Sequence, residues 1–184
     1  VVEARDWDHG VFMGATIASE QTAAAEGTVG ELRRDPFAML PFAGYNLADY
    51  FAHWLDFGRR LRRSARVPRV FQVNWFRKGA DGSFLWPGFG DNARVLEWMV
   101  ARIDGQVGAI DSPIGSLPTP GGLNVDDLDL EEATMEELFR VDPEAFLAEA
   151  DDVEQFFASF GERLPAELQR QLALLRGRLE AARG

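Results

Sequence analysis

The chain contains no cysteine, which excludes disulfide bonds, thiolate metal ligands and cysteine nucleophiles together. Histidine occurs twice, at His9 and His53, and lysine once, at Lys78, so few side chains are available as general bases or ammonium donors. No run approaches the roughly 18 uncharged apolar residues that a membrane-spanning helix needs, and no charged-then-apolar signal peptide opens the chain. We therefore expect a cytoplasmic protein with no membrane partner.

Motifs that mark catalysis are also missing. No Gly-x-x-x-x-Gly-Lys-Ser/Thr loop is present to cradle a triphosphate, and no serine lies in a nucleophile elbow. The acidic residues show no metal-ligand spacing, and His9 and His53 are interpreted as packed or surface side chains. The residues by themselves favour a binding function over turnover.

The 184 residues fit one domain, or one domain with an appended piece, and a hydrophobic content of 46% is ample for a core. The net charge of −11 comes from one part of the chain. Residues 1–110 carry 13 acidic and 13 basic side chains, whereas residues 111–184 carry 17 and six. We therefore divide the chain at residue 110 and expect no nucleic-acid partner. Because the first residue is Val1 rather than Met, we also expect a processed, cut or incompletely recorded chain.

Apolar patterning predicts a mixed α/β (α+β) fold that ends in a helical hairpin. Residues 143–160 and 165–182 are the two helices of that hairpin, because inward-facing apolar residues recur there at helical spacing. Their predicted inner faces comprise Phe146, Ala150, Val153 and Phe157 in the first helix, and Leu168, Leu172, Leu175 and Leu179 in the second. Two earlier helices are predicted, one capped by Asn46 and one that begins at Asn92. The predicted inner face of the second comprises Val95, Leu96, Met99 and Ile103.

The remaining segments are predicted as strands and loops. Residues 9–17 indicate a short buried strand interrupted by glycine, and residues 69–76 indicate a second strand. Prolines and glycines between residues 113 and 122 predict a crossing loop. Residues 19–34 lack an apolar stripe, which is typical either of a mobile lid or of an exposed helix turn followed by a loop.

Residues 74–92 hold an unusual density of aromatic side chains. Five large aromatics lie within these 19 positions: Trp75, Phe76, Phe84, Trp86 and Phe89. The Asp81-Gly82 pair predicts a tight turn and a hairpin over residues 70–86. That hairpin would bring Phe76 and Phe89 together with Phe84 on the floor. A planar ring stacked on phenylalanine gains about 1–3 kcal/mol, and the Asn92 amide could read the edge of that ring. The alternatives are a purely structural aromatic cluster and a helix-capping role for Asn92.

Two blocks of this segment closely resemble the nucleotide-binding segment of GTP-dependent phosphoenolpyruvate carboxykinase. They are Asn-Trp-Phe-Arg-Lys at residues 74–78 and Phe-Leu-Trp-Pro-Gly-Phe-Gly-Asp-Asn-Ala-Arg-Val-Leu-Glu-Trp-Met at residues 84–99. The likeness continues in His-Gly-Val-Phe-Met-Gly at 9–14 and Arg-Asp-Pro-Phe-Ala-Met at 34–39. It covers essentially the whole chain and implies the C-terminal part of that family's mononucleotide-binding domain.

The resemblance implies a function and a binding site. The family interconverts oxaloacetate plus GTP and phosphoenolpyruvate, carbon dioxide plus GDP, a reaction of gluconeogenesis, with a catalytic Mn²⁺ and a nucleotide-bound Mg²⁺. The implied guanine slot consists of Trp75, Phe76, Phe84 and Phe89. The implied strand-to-helix edge that contacts the base consists of Phe89, Gly90, Asp91 and Asn92, with the Asn92 amide reading the guanine.

The resemblance also implies a lid and a missing part. Residues 21–31 correspond to the lid that closes over the site, and its candidate residues are Thr22, Ala23, Ala24, Ala25 and Glu26. The phosphate loop, the metal ligands and the oxaloacetate-binding arginine correspond to sequence upstream of Val1. We therefore expect no catalytic or metal-binding residue in this chain and no activity without an upstream part, supplied in cis or as a separate chain.

Some positions depart from the animal members of the family. Ala18 and Leu40 stand where those members have arginines, and residues 27–30 read Gly-Thr-Val-Gly where the lid usually reads His-Lys-Gly-Lys. These departures indicate a bacterial branch. The alternative function is a non-catalytic nucleotide-binding or interaction module derived from the same family.

Overall fold

A computed structural model describes residues 1–20, 32–61 and 67–183, and in these ranges the chain has a mixed α/β fold. The helices are α1 (Trp7–Ala15), α2 (Leu47–Leu61), α3 (Asn92–Ile103), α4 (Glu132–Phe139), α5 (Pro143–Ala158) and α6 (Ala166–Ala181). The strands are β1 (Val2–Glu3), β2 (Ala18–Glu20), β3 (Leu32–Arg34), β4 (Phe71–Gln72), β5 (Ala109–Ser112) and β6 (Gly115–Pro118). None of the helices in the described ranges is long and apolar enough to cross a membrane.

The larger sheet is antiparallel and has the strand order β4-β1-β6-β5. Glu3 lies at its centre, paired with Phe71 on one side and Ser116 on the other. The Glu3 carboxylate is buried and accepts hydrogen bonds from Arg69 Nη1 at 2.9 Å and Arg102 Nε at 2.8 Å. Because a buried charge is costly unless it is paired, these two arginines hold α3 and the segment before β4 against the central strand β1. The division at residue 110 falls inside β5 and stays a prediction.

The first correction concerns residues 9–17, which form most of helix α1 rather than a strand. Asp6 caps this helix, since its carboxylate accepts a hydrogen bond from the His9 backbone N–H at 2.8 Å. The helix is buried on nearly all sides, so it shows no apolar stripe and its period could not be recognised. Glycine allows the close packing: a Cβ added at Gly10 would lie 2.7 Å from Val70, and one at Gly14 would lie 2.7 Å from Phe37.

The predicted helical hairpin is confirmed as α5 and α6, which pack against each other and, with α1 and α2, enclose the main hydrophobic core. The predicted inner faces are buried or half-buried in both helices. The cap of α2 is also confirmed, because Asn46 Oδ1 accepts from the Ala48 backbone N–H at 2.9 Å.

Two other predictions are wrong wholly or in part, and one helix was missed. The strand predicted for residues 69–76 is limited to β4. The predicted crossing loop at 113–122 contains β6, which pairs with both β1 and β5; Gly115 at φ +139° allows this approach, since an added Cβ would lie 2.6 Å from the Glu3 carbonyl oxygen. Helix α4 was not predicted, because its short acidic segment carries no long apolar stripe.

The predicted inner face of α3 is also partly wrong. Val95 is buried, but Leu96 and Ile103 are exposed. The helix instead buries Trp98, whose ring meets Phe71 edge-on at a centroid distance of 6.0 Å. An aromatic partner on the sheet therefore sets the orientation of this helix.

Strands β2 and β3 form a separate antiparallel ribbon on either side of residues 21–31. Those residues, including the lid candidates Thr22, Ala23, Ala24, Ala25 and Glu26, lie outside the described ranges. Arg34 anchors the ribbon: its Nη1 donates to the Thr16 carbonyl oxygen at 3.0 Å and to Glu149 of α5 at 2.5 Å.

Candidate functional site

The aromatic segment contains the predicted tight turn. Asp81 Oδ1 accepts hydrogen bonds from the Ser83 backbone N–H at 3.0 Å and from its hydroxyl at 2.7 Å, and Gly82 has φ +81°. Backbone bonds from Gly79 to Ser83 and from Leu85 to Arg77, both 2.9 Å long, close the two arms. The hairpin is therefore shorter than predicted and centres on residues 77–85.

Arg77 fixes this hairpin to the end of α4. Its guanidinium donates to the carbonyl oxygens of Leu138 at 3.2 Å and Arg140 at 3.1 Å, and to Glu137 Oε1 at 3.3 Å. Carbonyl groups at a helix C-terminus lack partners within the helix, and a cation there is favourable. The unpredicted helix α4 thus supports the base of the aromatic segment.

Three phenylalanine rings of the segment are presented to solvent. Phe76, Phe84 and Phe89 are 69%, 57% and 96% exposed, whereas Trp86 is only 6% exposed and Trp75 is half-buried. Phe76 and Phe84 meet edge-on with centroids 6.0 Å apart. The structural-cluster alternative is therefore wrong for these three rings and correct for Trp86, which belongs to the core.

Phe89 combines full exposure with an unfavourable backbone. Its φ is +48°, in the left-handed region, and it follows Gly88 at φ +79°. That conformation costs a residue with a side chain about 1–2 kcal/mol, and among the described residues the ring has no aromatic partner that would offset this cost. A strained residue that displays an apolar ring to water is typical of a ligand site.

Asn92 is not the cap of α3, and this corrects the capping alternative. The helix begins at Asn92 itself, whose φ of −60° is helical, after the single 3-10 turn Phe89–Asp91. A strand-to-helix edge was expected here, but a 3-10 turn precedes the helix instead of a strand. The Asn92 backbone N–H bonds to carbonyl oxygens of this turn, which leads directly into α3. The Asn92 side chain instead accepts a hydrogen bond at Oδ1 from the Trp86 indole N–H, at 3.0 Å.

Of the two residues before Asn92, Asp91 is held by an ion pair and Gly90 is open to solvent. Asp91 is tied to Arg94, whose Nε lies 3.0 Å from Oδ1, and Arg94 Nη1 also donates to the Asn124 carbonyl oxygen at 3.2 Å. Gly90 faces open space, because a Cβ added there would meet no atom within 4 Å. The edge between Phe89 and Asn92 is therefore accessible, while the carboxylate of Asp91 is held by a cation.

A separate cavity of about 490 Å³ lies between α1, the large sheet and α5, and its lining contains none of the exposed phenylalanines. His9 borders it and is 3% exposed. Burial, and then the charges of Arg178 and Arg5, lower the pKa of His9 to about 4, so its imidazole is neutral at pH 7. Its Nδ1 accepts the Arg5 backbone N–H at 3.1 Å, which confirms His9 as a packed residue. His53 is an exposed residue of α2.

The described residues include no group of three or more His, Cys, Asp or Glu side chains that could hold a metal ion.

Among the candidate residues, the structure brings together Trp86 and Asn92, and separately Phe76 and Phe84. The Trp86 bond was not predicted; its only sequence signal is a tryptophan six residues before an asparagine in a glycine-rich segment.

The exposed rings of the hairpin offer surfaces on which a planar ring can stack. Comparison with known families is specific: the family described as phosphoenolpyruvate carboxykinase C-terminal P-loop domain matches residues 1–178. The chain belongs to this family.

Curated relatives agree with this membership. The GTP phosphoenolpyruvate carboxykinase of Paenarthrobacter aurescens (strain TC1) is 50% identical over 179 residues, which are 97% of this chain and 29% of the relative. That of Neocallimastix frontalis is 49% identical over 183 residues, which are 99% of this chain and 30% of the relative. That of Treponema pallidum subsp. pallidum is 47% identical over an alignment that covers the whole chain and 30% of the relative. The chain thus spans about three tenths of the length of these relatives.

Proposed function

We propose that this chain is the guanine-nucleotide-binding portion of a GTP-dependent phosphoenolpyruvate carboxykinase. The complete carboxykinase, meaning this chain together with the upstream part, would convert oxaloacetate and GTP into phosphoenolpyruvate, GDP and carbon dioxide. The observation that carries the proposal is the 97–99% coverage of this chain by carboxykinases named for GTP. The exposed rings of Phe76, Phe84 and Phe89 support the nucleotide role.

The site would bind the base by two physical effects. Stacking on an exposed phenylalanine removes apolar surface of both rings from water, and each stack is worth about 1–3 kcal/mol. The Asn92 amide, held by Trp86 at the start of α3, would supply a directional hydrogen bond to the edge of the base. Trp75, Gly90 and Asp91 complete the proposed site, with Gly90 allowing close approach and Asp91 holding Arg94 in place.

We assign the metal ligands and the phosphate contacts to the upstream part. The described residues supply no cluster that would fit Mn²⁺ or Mg²⁺, so this chain is proposed to contribute base recognition and the lid. Residues 21–31, which include the candidates Thr22 to Glu26, would be that lid. The antiparallel β2–β3 ribbon and the Arg34–Glu149 ion pair would give it a fixed base on α5.

The test is activity with and without the upstream part. The purified 184-residue chain should form no phosphoenolpyruvate from oxaloacetate and GTP at any Mn²⁺ concentration, whereas the complete carboxykinase should do so with GTP. Product formation by the isolated chain would refute the division of labour. A complete protein that binds no guanine nucleotide would refute the proposed function itself.

A second candidate is a non-catalytic nucleotide-binding module, and one observation favours it. The rings and the Asn92 amide all lie within this chain, so base recognition by them would not require the upstream part. Titration of the isolated chain with GMP and AMP separates the candidates. Guanine-selective binding together with an inactive complete protein would favour the module.

A further inference from the structure

Trp86 and Asn92 form a partly buried hydrogen bond that can run in only one direction. Trp86 is 6% exposed, and its indole N–H lies 3.0 Å from Asn92 Oδ1. An indole nitrogen donates and never accepts, whereas an amide side chain has one accepting end and one donating end. The atom of Asn92 that faces Trp86 must therefore be oxygen. The NH₂ group is left on the opposite side.

The NH₂ group of Asn92 is open to the site. Nδ2 has no hydrogen-bond partner among the described residues and is not one of the buried unpaired atoms found there, so it is accessible to solvent. The nearest carboxylate in sequence, that of Asp91, is occupied by Arg94 Nε at 3.0 Å. The side chain thus presents two N–H donors at the start of α3, three residues after the exposed Phe89.

We propose that Trp86 is the positioning residue that sets base selectivity, because it turns the donor end of Asn92 toward the base. This inference rests on the proposed function. In this arrangement the 6-position of the purine faces the NH₂ group of Asn92. A donor there matches an oxygen at position 6, as in guanine or hypoxanthine. Adenine carries an amino group there, so two donors would face each other and one would lose its water without gaining a partner.

The rigidity of Trp86 is what makes this selection effective. A free asparagine amide can rotate by half a turn and offer either end, so alone it would accept both kinds of purine. Rotation here would place the NH₂ of Asn92 against the indole N–H and leave a buried donor unpaired. Asn92 is also held at its backbone, as the first residue of α3.

The test compares nucleotide affinities in the complete carboxykinase. Trp86→Phe keeps an aromatic ring in the core and removes only the indole ring's N–H and its extra carbons. We expect GDP and IDP to bind more weakly and ADP to bind more tightly than in the parent protein. The GDP-to-ADP affinity ratio, measured by titration calorimetry, should fall about tenfold or more.

Trp98→Phe is the matched control. Trp98 is 2% exposed, lies in the same helix as Asn92, and its indole N–H has no hydrogen-bond partner among the described residues. It should lose packing to a similar degree while the GDP-to-ADP ratio stays at the parent value. Asn92→Asp is a second variant that needs no change in the core: it offers oxygen to both sides, so the ratio should shift toward ADP.

The outcomes separate this inference from the proposed function. If the parent protein binds none of GDP, IDP and ADP, the proposed function is refuted, and the inference is refuted with it. A parent that prefers GDP, with an unchanged ratio in Trp86→Phe, overturns the inference alone. Loss of GDP binding in Trp86→Phe with IDP binding retained would also overturn the inference, because Asn92 would then read the 2-amino group of guanine. If Trp86→Phe does not fold, the GDP-to-ADP affinity ratio of Asn92→Asp is the test. An unchanged ratio there would overturn the inference, because the donor end of Asn92 would then not face the base.

Discussion

Trp7 and Gly58 are in direct contact where α1 crosses α2: a Cβ added at Gly58 would lie 2.1 Å from Cδ1 of the Trp7 ring. The same edge of the ring is held in place by a hydrogen bond, since its Nε1–H donates to the Trp54 carbonyl oxygen at 2.8 Å. The tryptophan therefore cannot move away without losing that bond. Glycine at position 58 sets the distance between the two helices.

Gly58→Ala should destabilise the chain, although alanine is the better helix former. Displacing Trp7 costs about 1–3 kcal/mol of overpacking strain, which exceeds the roughly 1 kcal/mol that alanine gains in a helix. Gly177→Ala is the matched control, because a Cβ at that helical position meets nothing within 4 Å. It should raise the unfolding free energy by about 0.5–1 kcal/mol. Denaturant unfolding of both variants measures the two changes, and a stabilised Gly58→Ala would contradict this packing.

Half-buried helices were predictable from the sequence, and fully buried or very short elements were not. The hairpin α5–α6 and helix α2 expose one face, so their apolar residues recur at helical spacing. Helix α1 is enclosed by other elements and reads as a continuous apolar run, which a strand produces equally well. Strands β1 and β4 have two residues each, too few for any period to appear.

The candidate site was predictable in composition but not in detail. The density of aromatic residues indicated the segment, whose role as a site stays a prediction, and the tight turn at Asp81-Gly82 is confirmed. Sequence could not separate Trp86, which is buried, from Phe89, which is exposed, because the segment between them has no regular period. The bond between Trp86 and Asn92 depends on a 3-10 turn that replaces the expected cap.

Phe89→Ala should weaken GDP binding to the complete carboxykinase by about 1–3 kcal/mol, the value of one lost stack. Because the ring is 96% exposed, its removal should leave the melting temperature nearly unchanged. Phe42→Ala is the control, since Phe42 is 77% exposed but lies outside the aromatic segment. Calorimetry with GDP tests both variants, and an unaltered affinity in Phe89→Ala would exclude this residue from the slot.

Phe89→Asn should separate stability from binding. Asparagine tolerates the left-handed backbone better than phenylalanine, so relief of strain at φ +48° should raise the unfolding free energy by up to about 1 kcal/mol. GDP binding should weaken as in Phe89→Ala. Phe76→Asn removes an exposed ring at a position without positive φ, so it should bring no such stabilisation. Equal stability changes in the two asparagine variants would argue against strain at Phe89.

Arg34 and Glu149 should be energetically coupled, because their 2.5 Å ion pair is partly shielded from solvent. A double-mutant cycle with Arg34→Gln and Glu149→Gln should give a coupling of about 1 kcal/mol in unfolding free energy. The exposed pair Arg59–Asp56, with a separation of 3.5 Å, is the control and should give less than about 0.5 kcal/mol. Equal couplings would mean that the base of the β2–β3 ribbon is held by its backbone bonds and not by this pair.

His9 should make the stability of the chain depend on pH between about 4 and 6.5. Its pKa is about 4 when folded, below the ordinary value of 6.5 that applies when unfolded, because burial and then Arg178 and Arg5 disfavour the imidazolium, with Asp6 opposing them. Above pH 6.5 the imidazole is neutral in both states and its stabilising contribution is complete. As the pH falls, the unfolded chain takes up the proton first, so the unfolding free energy should decrease by up to about 3 kcal/mol by pH 4.

His9→Asn tests this dependence, because Asn keeps an oxygen near the position of Nδ1 to accept the Arg5 backbone N–H and does not titrate. The variant should lose most of the slope between pH 4 and 6.5 while the parent keeps it. The exposed His53, replaced by Asn in the same way, is the control for removal of a histidine. Urea unfolding at half-unit pH steps gives the slopes. A parent and a His9→Asn variant with the same slope would mean that His9 is protonated as readily inside the fold as outside it.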